Sequence, residues 1–114
     1  AQYENLVKLC FREAAAQEVE LFEKPVRAQL EVYYEIPKST TKSRRGAMMM
    51  DRLYPTKKPD VDNIAKIVLD SLNGIAYKDD SQVVELMVNK FYSKRGQPYV
   101  FVRLSPMPEG RLEP

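Results

Sequence analysis

Between Lys57 and Gln82 the chain reads KKPDVDNIAKIVLDSLNGIAYKDDSQ, and five of these residues are aspartates: Asp60, Asp62, Asp70, Asp79 and Asp80. Carboxylates this close repel one another, so a fold keeps them only where solvent, helix-end dipoles, lysines or a metal ion offset the repulsion. If residues 61 to 73 are helical, Asp62, Lys66 and Asp70 become i, i+4 neighbours on one face. A return through IAYKDD, antiparallel to that helix, can then bring Asp80 beside the helix start. Three carboxylates converging there would form a hard-oxygen site suited to Mg²⁺, with Lys66 placed to hold an attacking water or a phosphate oxygen.

Local rules offer a plainer explanation of the same residues. Asp60 follows Pro59 and precedes an apolar helical stripe, as an N-cap does. Asp62 in the first turn gains roughly 0.3 to 1 kcal/mol from the helix dipole. Asp79 and Asp80 precede a strand, where aspartate is an ordinary turn residue. On this reading the aspartates are caps and turns and hold no metal.

Composition narrows the chemistry. Without histidine, and with Cys10 as its single cysteine, the sequence excludes a Cys/His zinc cluster, an intrachain disulfide and any histidine-dependent triad or general base. Carboxylates, lysines and tyrosines remain. The net charge is only +2, from 18 basic and 16 acidic residues, but it is unevenly spread. Residues 38 to 58 carry seven basic residues and one acidic, leaving eleven against fifteen elsewhere. A local basic excess beside an acidic site suits a polyanion that is first attracted and then cut. Lys38, Lys42, Arg44, Arg45, Lys57 and Lys58 are the candidate phosphate contacts; the alternative is a solvated loop. No apolar run approaches the ~20 residues of a membrane span and no signal-peptide pattern opens the chain, so a cytoplasmic protein is expected.

The elements that must position these residues follow from periodicity. Tyr3, Leu6, Val7, Cys10 and Ala14 fall on one face of an amphipathic helix over residues 2 to 17. Val26, Ala28, Leu30, Val32, Tyr34 and Ile36 alternate with polar residues, predicting a long strand with one buried face. Residues 38 to 58 show no stable period and read as a mobile excursion with a short helix around Ala47 to Arg52. Ile64, Ile67, Val68 and Leu72 stripe a helix over 61 to 73 that Asn73-Gly74 ends. QVVELMVNKFY and PYVFVRL read as an antiparallel pair joined by SKRGQ. One domain over residues 1 to 104 and a loose tail over 105 to 114 complete the reading.

The ordered set Pro59, Asp60, Asp62, Asn63, Lys66, Asp70, Leu72, Asn73-Gly74, Tyr77, Asp79-Asp80 and Gln82 resembles the RusA family of Holliday-junction resolvases, small endonucleases common on phages and prophages. The likeness is close over residues 54 to 92 and looser before them. It implies an α+β fold, a small mixed and mainly antiparallel sheet covered by helices. It further implies that Asp60, Asp62 and Asp80 are catalytic carboxylates that hold Mg²⁺, with Mn²⁺ as a substitute, and that Lys66 is the essential lysine. Asp79 and Asp70 lie in the motif with open roles, Asp70 as a partner of Lys66 among them. A two-fold homodimer nicking opposed strands of a four-way DNA junction is the implied assembly, and a symmetric dimer suits a symmetric junction. Relatives usually begin with another strand and a short basic Gly-Arg-Pro segment ahead of the helix that starts here at residue 1. The expectation for this chain is therefore a sheet without that strand and an intact carboxylate site.

The remaining features have ordinary explanations. Met48 to Met50 read as filler in a loop or short helix, against a flexible apolar surface at a dimer or junction centre. Cys10 reads as a core residue. Tyr3, Tyr33, Tyr34, Tyr92 and Tyr99 read as strand and core aromatics rather than base-stacking platforms, because no basic residues interleave with them. Two rivals stand beside the nuclease: a non-catalytic nucleic-acid-binding module, and an enzyme fold retained in a shortened, inactive form.

Overall fold

The computed structural model describes residues 23–108. The helix expected over residues 2 to 17, with Tyr3 and Cys10, lies outside them. In chain order the elements are β1 (Val26–Tyr34), α1 (Lys42–Met49), α2 (Val61–Ser71), a 3₁₀ turn (Asp80–Gln82), β2 (Val83–Tyr92) and β3 (Tyr99–Pro106). This is the mixed α+β arrangement expected.

The strand order, β2-β1-β3, departs from expectation in one respect. β2 and β3 do not form a hairpin pair; β1 lies between them, parallel to β2 and antiparallel to β3. The reason lies in β1 itself: Val26, Ala28, Leu30 and Val32 are all fully or almost fully buried, and a strand with so apolar a face gains most from a central position. The connection after Tyr92 must then cross the end of β1, a step of roughly 10 Å at ordinary strand spacing. Ser93 makes that crossing local by donating its backbone N–H to the Tyr34 carbonyl at 2.7 Å, and Gly96 supplies a left-handed φ of 76°.

Residues in register share a face of the sheet. Ala28, Leu30 and Val32 therefore lie beside Val88 and Lys90 of β2 and Val100, Val102 and Leu104 of β3. Helix α2 covers this face with Ile64, Ala65, Val68, Leu69 and Leu72, completing the core together with Ala76 and Tyr77. Ile67, expected in the buried stripe, is instead 37% exposed. The buried rows are 64/68/72 and 65/69, and Ile67 falls to their side. On the opposite face Tyr33 stacks between Tyr99 and Phe91, with ring centroids at 4.2 and 5.5 Å.

The segment after β1 is more ordered than its sequence suggests. Helix α1 begins five residues before the expected Ala47, because the Thr41 hydroxyl caps it by accepting from the Arg44 N–H at 3.3 Å. Met48 is buried and anchors α1, whereas Met49 and Met50 are exposed. Asp51, in the left-handed region at φ 57°, ends the turn and pairs with Lys94 at 3.1 Å. At the other end of the chain β3 continues through Ser105 and Pro106, where a loose tail was expected to begin, and Met107 N–H donates to the Pro25 carbonyl at 3.0 Å.

Candidate active site

The five aspartates divide by what their side chains do. Asp79 is structural. Its carboxylate accepts from the Ser81 N–H at 2.9 Å while its own N–H donates to Gln82 Oε1 at 2.9 Å, a complete capping box over the 3₁₀ turn. Hydrogen bonds from Ser81 hold the Asp79 carboxyl below its ordinary value. The plainer explanation is therefore right for this residue. For Asp60 it fails: the residue occupies the N-cap of α2 by backbone conformation, yet its side chain makes no capping hydrogen bond. It lies 3.5 Å from the Lys58 ammonium and is 57% exposed, turned outward from the helix it precedes.

Asp62 sits in the first turn of α2, and Lys66 follows one turn later on the same face. Among the described residues neither has a hydrogen-bond or ion-pair partner, so Lys66 does not pair with Asp62 or with Asp70. Asp70, two turns beyond Asp62, is instead adjacent to Asp80. Burial pushes the Asp80 carboxyl above its ordinary value; a hydrogen bond shared with Asp70 and the charges of Asp79 and Asp70 push it further. The expected approach of Asp80 to the start of the helix is thus replaced by contact with its last turn. Tyr77 determines this path. Fully buried, it donates its hydroxyl to the Leu69 carbonyl at 2.7 Å and fastens the return onto α2, while Gly74, at φ 77°, permits the reversal.

No three acidic side chains among the described residues stand together as a ready metal cage. The donor chemistry nevertheless fits a hard divalent cation. The available groups are carboxylates, Mg²⁺ needs only one or two of these with water completing its shell, and a bound cation would offset the charges of Asp70 and Asp79 that help push the Asp80 carboxyl above its ordinary value.

A cleft of about 580 Å³ adjoins Asp60, bounded by the end of β1 and the segment before α2, with Tyr34, Lys38, Lys57, Lys58 and Pro59 in its wall. Three of the six candidate phosphate contacts thus gather at one place. The other three lie on α1: Lys42 and Arg44 are exposed, and Arg45 is committed to the fold through a 3.1 Å hydrogen bond to the Pro37 carbonyl. Tyr34, which reads from sequence as a plain core aromatic, has the Lys57 and Lys90 ammonium groups 5.6 and 5.2 Å from its ring centre. The basic residues do interleave with the aromatics, but across the fold rather than along the chain. Lys90 is a second residue that the sequence reading does not include. The available signal is its place in the alternation of β2, where Leu86, Val88 and Lys90 share one parity and a lysine takes an apolar position.

The family model for endodeoxyribonuclease RusA matches residues 1–105. The chain belongs to the RusA family. RusA proteins act on Holliday junctions and are generally dependent on a divalent metal. The chain is also similar to the uncharacterised protein YqaN of Bacillus subtilis (strain 168), with 47% identity over 81 residues, covering 69% of this chain and 57% of that protein. It therefore spans little more than half the length of that relative. No solved structure matches. Among the described residues no helix is long and apolar enough to cross a membrane.

Proposed function

We propose that the protein is a Mg²⁺-dependent, structure-selective DNA endonuclease that resolves Holliday junctions by paired nicks, acting as a homodimer in the cytoplasm of a bacterial host. The observation that carries this reading is the outward-turned, uncapped carboxylate of Asp60 at the head of a helix face that also presents Asp62 and Lys66. A capping role would have turned the Asp60 carboxylate onto the amides of α2, and structural ion pairs would have consumed Asp62 and Lys66. Asp60 and Asp62, at the head of α2, would hold the metal, and bound Mg²⁺ would supply an activated water and neutralise charge on the scissile phosphate; Asp80, expected from sequence in the same set, would instead share a cation with Asp70 at the far end of the helix. Lys66, whose ammonium is unpartnered among the described residues, stabilises the charge that builds on the phosphate oxygens in the transition state. Lys57, Lys58 and Lys38, around the adjoining cleft, draw in and hold the strand.

The test compares a labelled synthetic four-way junction with a linear duplex of the same sequence, in Mg²⁺ and in chelator, using this chain and its Asp60→Asn and Asp62→Asn variants. Mg²⁺-dependent paired nicks in the junction alone, with binding kept and cleavage lost in both variants, are expected. Cleavage retained by Asp60→Asn would remove that residue from the metal set. Binding without cutting by the unaltered chain would leave the two rivals, a non-catalytic binding module and an inactive enzyme fold, as the readings.

A further inference from the structure

Asp60 is delivered by three residues, Lys57, Lys58 and Pro59, that belong to no helix or strand. Lys90 on β2 reaches across to them: its Nζ donates to the Lys57 carbonyl at 2.7 Å and to the Pro59 carbonyl at 3.1 Å. The Tyr34 hydroxyl of β1 donates to the same Pro59 carbonyl at 3.2 Å, and the Lys90 ammonium lies 5.2 Å from the centre of the Tyr34 ring. Two adjacent strands thus converge on the carbonyl immediately preceding Asp60. Val32 and Lys90 are in register, as are Tyr34 and Tyr92, so the clamp is built on the two-strand ladder itself.

We propose that Lys90, together with Tyr34, is a positioning residue that holds the Lys57–Pro59 segment and thereby sets the place of the Asp60 carboxylate; the proposal rests on the nuclease reading above. Chemistry separates this role from that of a phosphate contact. An ammonium has three N–H donors, and Lys90 commits two of them to carbonyls on which no substrate acts. Lys58, by contrast, is 86% exposed. Of the lysines near the site, Lys90 is the one whose ammonium is held by backbone carbonyls. Its loss should alter turnover and leave the electrostatics of DNA capture in place.

The experiment uses Lys90→Met, which keeps the length and apolar character of the side chain, Lys90→Arg, which restores a donor, and Tyr34→Phe, which removes only the hydroxyl. Backbone amide order parameters of the free protein are read by NMR relaxation at Lys58, Asp60 and Val61 and in the core of β1. Lys90→Met is expected to lower them at those three residues from the rigid range, about 0.85, to below about 0.6 while β1 is unchanged. Junction cleavage should lose about 10- to 100-fold in kcat, the range typical when a group supporting a metal ligand is removed. Junction affinity should stay within about twofold, and the salt slope of binding should be unchanged. Lys90→Arg should recover part of the rate, and the effects of Lys90→Met and Tyr34→Phe should be non-additive because both act on Pro59. Unchanged order parameters at Lys58, Asp60 and Val61 overturn the proposal whatever the activity, as do lowered order parameters with an unaltered kcat. If the unaltered chain fails to cut while Lys90→Met still loosens the segment, the nuclease reading falls and the clamp stands.

Discussion

At the scale of single residues, two neighbouring aspartates have opposite environments. Asp79 is lowered by the hydrogen bonds it accepts from Ser81, so it contributes stability above the ordinary carboxylate range that is lost as pH falls through its folded value. Asp80 is raised, first by burial and then by Asp70, so the fold holds its proton more tightly than the unfolded chain does. Its contribution is present at low pH and lost as pH rises through the folded value. Asp80→Asn should therefore melt higher than the unaltered chain at pH 7, with the difference closing as pH falls to the ordinary carboxylate range; a thermal melt at each pH reads this. Mg²⁺ should raise the melting temperature of the unaltered chain more than that of Asp80→Asn, since a ligand bound only to the folded state stabilises it. In junction cleavage Asp79→Ser, which keeps a capping oxygen, should retain activity, and Asp80→Asn should lose it.

At the scale of elements, α2 both completes the core and carries the candidate aspartates and lysine, and its two faces predict different costs. Leu72→Ala, at a position 1% exposed, should cost about 2–5 kcal/mol in denaturant unfolding. Ile67→Ala, at the margin of the stripe, should stay within about 1 kcal/mol. Equal losses at the two positions would show that the helix is rotated relative to the sheet. The reversal after α2 depends on Gly74, where an added Cβ would meet nothing within 4 Å. Gly74→Ala should nonetheless cost roughly 1–2 kcal/mol, because the strain lies in the left-handed φ and not in space. Chemical denaturation of this variant, compared with an alanine at the similarly open but helical Gly46, isolates that effect.

Across the whole molecule, charge is arranged in layers around the site. Lys38, Lys57 and Lys58 face the cleft beside Asp60, Lys42 and Arg44 lie exposed on α1, and Lys90 and Arg45 are bound to backbone carbonyls. Reversing Lys57 and Lys58 to glutamate should weaken junction binding and flatten its salt dependence, by about 0.9 in the log–log slope for each phosphate that is no longer neutralised. Reversing Lys42 and Arg44 tests whether α1 also meets DNA, and an unchanged slope there would confine the DNA-binding surface to the cleft.

The sequence by itself determined the strands, the principal helix and the family. Period-two alternation marked β1 because its buried face is continuous, and spacing of three and four marked α2 because Ile64, Val68 and Leu72 must reach one core. The aspartate and lysine spacing carried the family. Tertiary structure alone decided which strands pair, since β2 and β3 are as apolar as a hairpin requires and only competition for the centre of the sheet places β1 between them. It alone decided that Asp80 meets Asp70 and not the helix start, because the buried Tyr77 hydroxyl fastens the return at Leu69. Tyr34 and Lys90 stayed hidden for the same reason: they lie 56 residues apart in sequence, and their meeting at Pro59 is a property of the β1–β2 register and not of any local pattern.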